Sequence, residues 1–307
     1  MGCTTASPAV VQWLHQSDAS IGMWEPDMTT LTWYSPGLIG LLILLMFAGN
    51  ARAESPDIGA VNNRVLIQVV STRVDYSETG NGYLGTATGV LDTETGAVMG
   101  VGLSLSRMRP AHNVYWQAGF DYSSGSTKYT GSLLGGGGFG SYTGTSSATL
   151  ANYEGRLGKG FEIREDFLVT PYMEAGGHRW DRGVSYGELY THYYYGFGVM
   201  AQYSPRPKLV LSVEGLLGRT VQSHIVVNGG ALMNGFSASL GNSPLSRIGA
   251  AVDYAFNPQV HGNVTVEYMK FRYGASSAFP IGGGLVAWEP DSDTRYLVVK
   301  AGLAVPF

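Results

Sequence analysis

Asp291 and Asp293 stand one residue apart in a polar stretch, and His178, Asp181, His192 and His224 stand near the ends of other segments. Carboxylates and imidazoles are the residue types of hydrolytic sites, but surface loops often carry both, and no further motif ties these six together. GGGGFG from Gly135 to Gly140 lacks the Gly-Lys-Ser/Thr that a phosphate loop needs. No Cys/His spacing suits a metal, and no cofactor is expected. A larger set of charges recurs at alternating positions: Arg73, Asp75, Asp121, Glu154, Arg156, Glu174, Glu214, Arg247, Asp253, Glu267 and Lys300. Both signs are present, so the set reads either as an ion-paired core or as the selectivity lining of a channel.

The elements that must hold these residues are strands. Ala97, Met99, Val101, Leu103 and Leu105 share one parity, with Gly100, Gly102, Ser104 and Ser106 on the other. The same alternation runs through 113–122, 193–203, 209–217, 248–256, 264–268 and the C-terminal TRYLVVKAGLAVPF. Most runs are about 9 to 11 residues, the length with which a tilted strand crosses a bilayer. Three stretches are less regular: 65–76, whose phase is ambiguous, 148–157, and 167–178 with Pro171. Tyr122, Tyr193, Tyr203, Tyr254, Phe256, Tyr268 and Phe307 lie on the apolar parity near strand ends, where girdles sit at membrane interfaces. That separates a membrane barrel from a soluble sandwich, which the alternation alone does not.

Composition agrees. The 307 residues hold 44 Gly and 19 Tyr, a bias toward strands and turns. Leu38 to Ala48 is the one long continuous apolar run, and Ala51-Arg52-Ala53 follows it. A short apolar core before Ala-x-Ala reads as a signal peptide cleaved after Ala53, although no Lys or Arg precedes Arg52; an uncleaved signal anchor is the rival. Residues 1–53 are therefore expected to be a leader, 54–63 a short periplasmic N-terminus and 64–307 the barrel. The leader carries Arg52, Asp18, Glu25 and Asp27, so its loss changes the net charge from −4 to −2, and a nucleic-acid partner is not expected. The single cysteine, Cys3, leaves with it, so the mature chain crosses an oxidising periplasm without mispairing.

Links between strands alternate long and short, and Pro or Gly marks the short ones. Five long and four short links give an all-β, antiparallel up-and-down transmembrane barrel of ten strands with both termini periplasmic. Merging the irregular strands would give eight, and splitting the Gly-rich link would give twelve. Thr, Ser and Tyr around Gly135 to Gly138 suit a polar β-ribbon extending one hairpin above the membrane, or a flexible solvated loop.

The pattern polar, x, Gly, x, x, apolar, x, aromatic is met by Lys300, Gly302, Val305 and Phe307, with Leu303 between. It resembles the C-terminal assembly signal of bacterial outer-membrane barrels, which implies recognition by the barrel-assembly machinery. Over roughly 64–307 the architecture resembles small outer-membrane barrels of the outer-membrane protein A, outer-membrane protein X and opacity-protein type, whose usual strand number is eight. Omptin proteases are ten-stranded, and that resemblance would imply an Asp pair opposite an Asp and His at the barrel mouth. The expectation is an integral outer-membrane protein, not an enzyme, in contact with outer-membrane lipid and lipopolysaccharide, whose external loops meet a ligand or host surface or serve the envelope structurally. A narrow channel is the alternative, and an omptin-like protease the third reading.

Overall fold

Alternation of apolar and small or polar residues gives the backbone two faces, and a sheet curled until its ends meet can bury one while exposing the other. In the computed structural model, residues 58–82, 87–109, 112–132, 138–184, 186–230, 234–282 and 285–307 are described. Residues 1–57 lie outside them, and with them the leader and its expected cleavage at Ala51 and Ala53.

Ten long antiparallel strands close a barrel: β1 (Arg64–Asn81), β2 (Thr88–Arg109), β3 (Val114–Gly131), β4 (Tyr142–Lys159), β6 (Phe167–Arg182), β7 (Glu188–Arg206), β8 (Leu209–Val227), β10 (Pro244–Asn257), β11 (Val260–Tyr273) and β14 (Asp291–Pro306). Each pairs with its neighbours in chain order, and β14 closes on β1 from Arg64↔Pro306 to Thr79↔Asp291. Four short strands decorate the links: β5 (Phe161–Arg164) pairs with β6, β9 (Phe236–Ser239) with β8, and β12 (Phe279–Gly282) with β13 (Leu285–Ala287). The strand number is the expected ten. Strand length is not: these strands run 14 to 22 residues, because several links that look long in sequence are strands continuing past the apolar zone.

The outward face carries an apolar belt. Ile67 and Val69, Met99 and Val101, Phe120, Leu157, Phe197 and Val199, Val213 and Leu217, Ile248, Val264 and Val299 are all exposed upon it. Aromatics border it: Tyr122, Tyr153, Tyr193 and Tyr268 on one side, Tyr203, Tyr254, Phe256 and Phe307 on the side of the termini. A band of large apolar side chains facing outward is the lipid-facing surface of a transmembrane barrel. Past the belt, away from the termini, the outward positions turn polar, with Ser124, Ser126 and Lys128 on β3 and Thr143 and Thr145 on β4. The β3–β4 hairpin is thus the expected polar ribbon, paired continuously from Val114↔Lys159 to Gly131↔Tyr142.

Two features of the wall follow from local geometry. Short turns near the termini place Asn113 (φ 48°) and Lys208 (φ 74°) in the left-handed region, so Asn and Lys, rather than Gly, take the special positions. Gly302 faces inward where a Cβ would lie 1.9 Å from the Ile67 carbonyl oxygen, so only glycine fits there. The short N-terminal segment expected at 54–63 includes a helix, α1 (Ile58–Asn62), which enters the barrel's end.

Candidate functional site

Inward parity gathers the chemical residues into the lumen, in layers. The floor is α1, with Ile58, Val61 and Asn62 buried and the Asn62 amide donating to Gln202 Oε1 at 2.7 Å. Beside it Arg64 pairs with Asp253, and His261 Nδ1 lies 2.7 Å from Asp253 Oδ1.

The next layer, at belt height, is a network. Arg156 reaches Glu174 at 2.8 Å, Glu214 at 2.7 Å and Glu154 at 3.2 Å. Arg247 bonds Glu174 and lies 2.9 Å from Glu154. Lys300 joins Asp121 at 2.6 Å and Glu267 at 3.4 Å. Paired and hydrogen-bonded in this way, charges can be held away from water. Nine of the eleven predicted lumen charges are therefore brought together inside: Asp121, Glu154, Arg156, Glu174, Glu214, Arg247, Asp253, Glu267 and Lys300. Arg73 and Asp75 are the correction. Both are exposed on the outward parity of β1, while Val74 and Tyr76 are buried inside. That part of β1 lies beyond the belt, where the outer face meets water and takes charge.

Above the network sits an aromatic layer. His178 and His192 lie 5.0 Å apart between ring centres; His192 Nδ1 is 2.7 Å from the Tyr273 hydroxyl and His178 Nε2 is 3.1 Å from that of Tyr296. Phe271 packs edge-on against both histidines. Between floor and histidines remains a pocket of about 140 Å³, touched by Asn62, Asp121, Glu154, Arg247, Lys300 and His192 among others.

The last layer, beyond the belt, was not anticipated from the sequence. Arg182, 0% exposed, donates to Glu94 at 2.8 Å, Glu188 at 2.9 Å and Glu78 at 3.1 Å, with Asp92 at 3.8 Å. Its guanidinium lies 4.4 Å from the Tyr76 ring centre, 4.9 Å from Trp180 and 5.6 Å from Tyr190. Glu289, from the link before β14, closes this layer: it accepts a hydrogen bond from Tyr190, and its backbone N–H donates to Ser276 Oγ at 2.8 Å. Burial, with Glu78 and Glu188 nearby, pushes the Glu289 carboxyl well above the usual carboxylate range. Four acidic side chains thus surround one cation, with the Glu289 carboxyl beside them. The missed signal was parity: Glu78, Asp92, Glu94, Arg182 and Glu188 fall in stretches that read as loop, where no alternation assigns a face.

The six candidate hydrolytic residues are not gathered. Asp293 faces outward and is bound by Arg272 at 2.6 Å, while Asp291 accepts from the Ala275 N–H at 3.0 Å. Asp181 is exposed beside Arg179, and His224 bonds Ser237 at 2.8 Å. His178 and His192 lie on the other side of the wall, in the lumen. Among the described residues no group of three or more His, Cys, Asp or Glu is arranged to hold a metal ion.

No family model matches the sequence, and no curated protein matches it. Among solved structures, the outer membrane protease OmpT from Escherichia coli superposes over 83% of this chain and 99% of its own, with a TM-score of 0.54 at 8% identity. Neisserial surface protein A matches over 79% and 97%, with a TM-score of 0.31 at 12% identity, and Ail of Yersinia pestis over 79% and 99%, at 0.30 and 9%. At such identities the likeness to OmpT is one of fold: the chain has the closed, ten-stranded antiparallel fold of bacterial outer-membrane barrels.

Proposed function

We propose, with that fold as premise, that the chain is an integral bacterial outer-membrane protein with both termini in the periplasm. It carries no current at rest and acts through the part of the barrel that stands above the membrane. The observation that carries this reading is the filled lumen: helix floor, ion network, aromatic layer and Arg182 layer succeed one another, and the pocket left between floor and histidines is only about 140 Å³. Barrels that conduct freely have more strands and leave an aqueous channel. The polar β3–β4 ribbon and the rim links then supply the contact surface, to a ligand or host surface, or to the envelope itself. The apolar belt supports contact with outer-membrane lipid, and the β14 residues Lys300, Gly302, Leu303, Val305 and Phe307 are assigned to recognition by the assembly machinery.

Planar-bilayer recording on residues 54–307, refolded and shown by a heat-dependent gel shift to be closed, tests this. Silence is expected. Steady, charge-selective current that changes when Lys300 or Glu267 is replaced would move the function to that of a narrow channel.

A further inference from the structure

Gly215 faces outward in the middle of the belt, and a Cβ built there meets no atom within 4 Å. Its neighbours in register are Val199 on β7 and Ile248 on β10. The missing side chain leaves a groove of about 540 Å³ on the lipid-facing side, walled by Phe197, Val199, Ile248 and Tyr268 and topped by Leu217, which is 75% exposed. Gly155 is also outward and open, but its register neighbours are the small Ala118 and Ala175; at Gly215 the furrow has large apolar walls.

Cations stand directly above. Arg219 follows Leu217 on the outward parity of β8, and Lys270 pairs in register with Ser246, which lines the groove. Arg295 is the register partner of Lys270 on the next strand, and Arg272 lies two residues beyond Lys270. Asp293 holds Arg272 at 2.6 Å and Lys270 at 3.9 Å, which neutralises one of that pair. Arg219 and Arg295 are exposed and make no ion pair among the described residues; Asp75 stands opposite Arg295 in register. On the far side of the barrel, β3 and β4 offer mostly serine and threonine at the same height.

We propose that this furrow and the cations above it form a specific site for a bisphosphorylated, multi-chain glycolipid of the outer leaflet, with one acyl chain lying over Gly215 and the phosphates against Arg219, Lys270 and Arg295. The site rests on the outer-membrane reading above. The charges lie on β8, β11 and β14, and with β10 between they span three inter-strand spacings or about 14 Å. That width suits two phosphates separated by sugars better than one phosphodiester. Arginine just beyond an apolar surface holds phosphate with its planar fork while its stem covers hydrocarbon.

The test uses the refolded chain in phosphatidylcholine vesicles holding a few per cent of lipid A, dephosphorylated lipid A, or phosphatidylglycerol at matched charge. Lipid retained per protein after detergent extraction is read by mass spectrometry. The wild type should retain lipid A about tenfold over the other two. Gly215→Leu, at a position where an added Cβ meets no atom within 4 Å, puts a side chain into the furrow and should lower that retention to the phosphatidylglycerol level while leaving the heat-dependent gel shift intact. Arg219→Gln with Arg295→Gln should remove the preference for the phosphorylated form. Equal retention of phosphorylated and dephosphorylated lipid, retention of phosphatidylglycerol as strong as that of lipid A, or a Gly215→Leu protein that retains as much as wild type would each overturn the site. Failure to give a heat-sensitive barrel in any vesicle would instead overturn the outer-membrane reading beneath it.

Discussion

At the scale of the residue, Gly302 links an assembly motif to wall geometry. Its close approach to the Ile67 carbonyl means that Gly302→Ala must push β14 away from β1 at the seam. A loss of about 1–3 kcal/mol is expected for such overpacking, read as a lower temperature for the gel-shift transition. Glu289 sets a pH dependence. Its folded pKa is raised, so its contribution is fully present below the ordinary carboxylate value of about 4.3 and is lost as pH rises through the folded value. Limited proteolysis near Glu289 should therefore quicken as pH is raised, and Glu289→Gln should flatten that profile; an unchanged profile would show that the proton is held elsewhere. Individual lumen residues were legible where a strand alternated cleanly, as at Glu154, Arg156, Arg247 and Lys300. Arg73 and Asp75 were misplaced because Val70, Val74 and Tyr76 are as apolar as a lipid face, though they serve the inside.

At the scale of the element, the strands and their order were readable because lipid demands a period of two over a fixed length. What lies beyond lipid obeys no such rule. The upper ends of β1, β2 and β6 read as loop, since there both faces accept polar residues, and the Arg182 layer they carry was hidden with them. The floor was hidden for another reason: five residues make too short a helix to show periodicity. It holds by burial of Ile58 and Val61 and by the Asn62–Gln202 hydrogen bond. A chain beginning at residue 63, refolded and recorded beside the 54–307 form, should show frequent brief openings where the longer form is silent. Equal silence would place the resistance in the ion network.

At the scale of the molecule, the inside is far more acidic than the chain as a whole. The network at belt height sets Arg156, Arg247 and Lys300 against Asp121, Glu154, Glu174, Glu214 and Glu267, and the layer above sets Arg182 against Glu78, Asp92, Glu94 and Glu188. Any current through the truncated barrel should therefore favour cations, with a reversal potential in a salt gradient near that of potassium; an anion preference would mean that the layers rearrange on opening.

The seam between β1 and β14 carries a consequence for time rather than for strength. Arg64 meets Pro306, so the contact that closes the ring joins the first barrel strand to the last. Loop closure over nearly the whole chain is slow, and nothing shorter can substitute for it. Until β14 joins β1, every intermediate has two open strand edges. The ring's permanence once closed thus obliges the cell to escort an unfinished chain to the bilayer, and any delay in delivery is paid in aggregation.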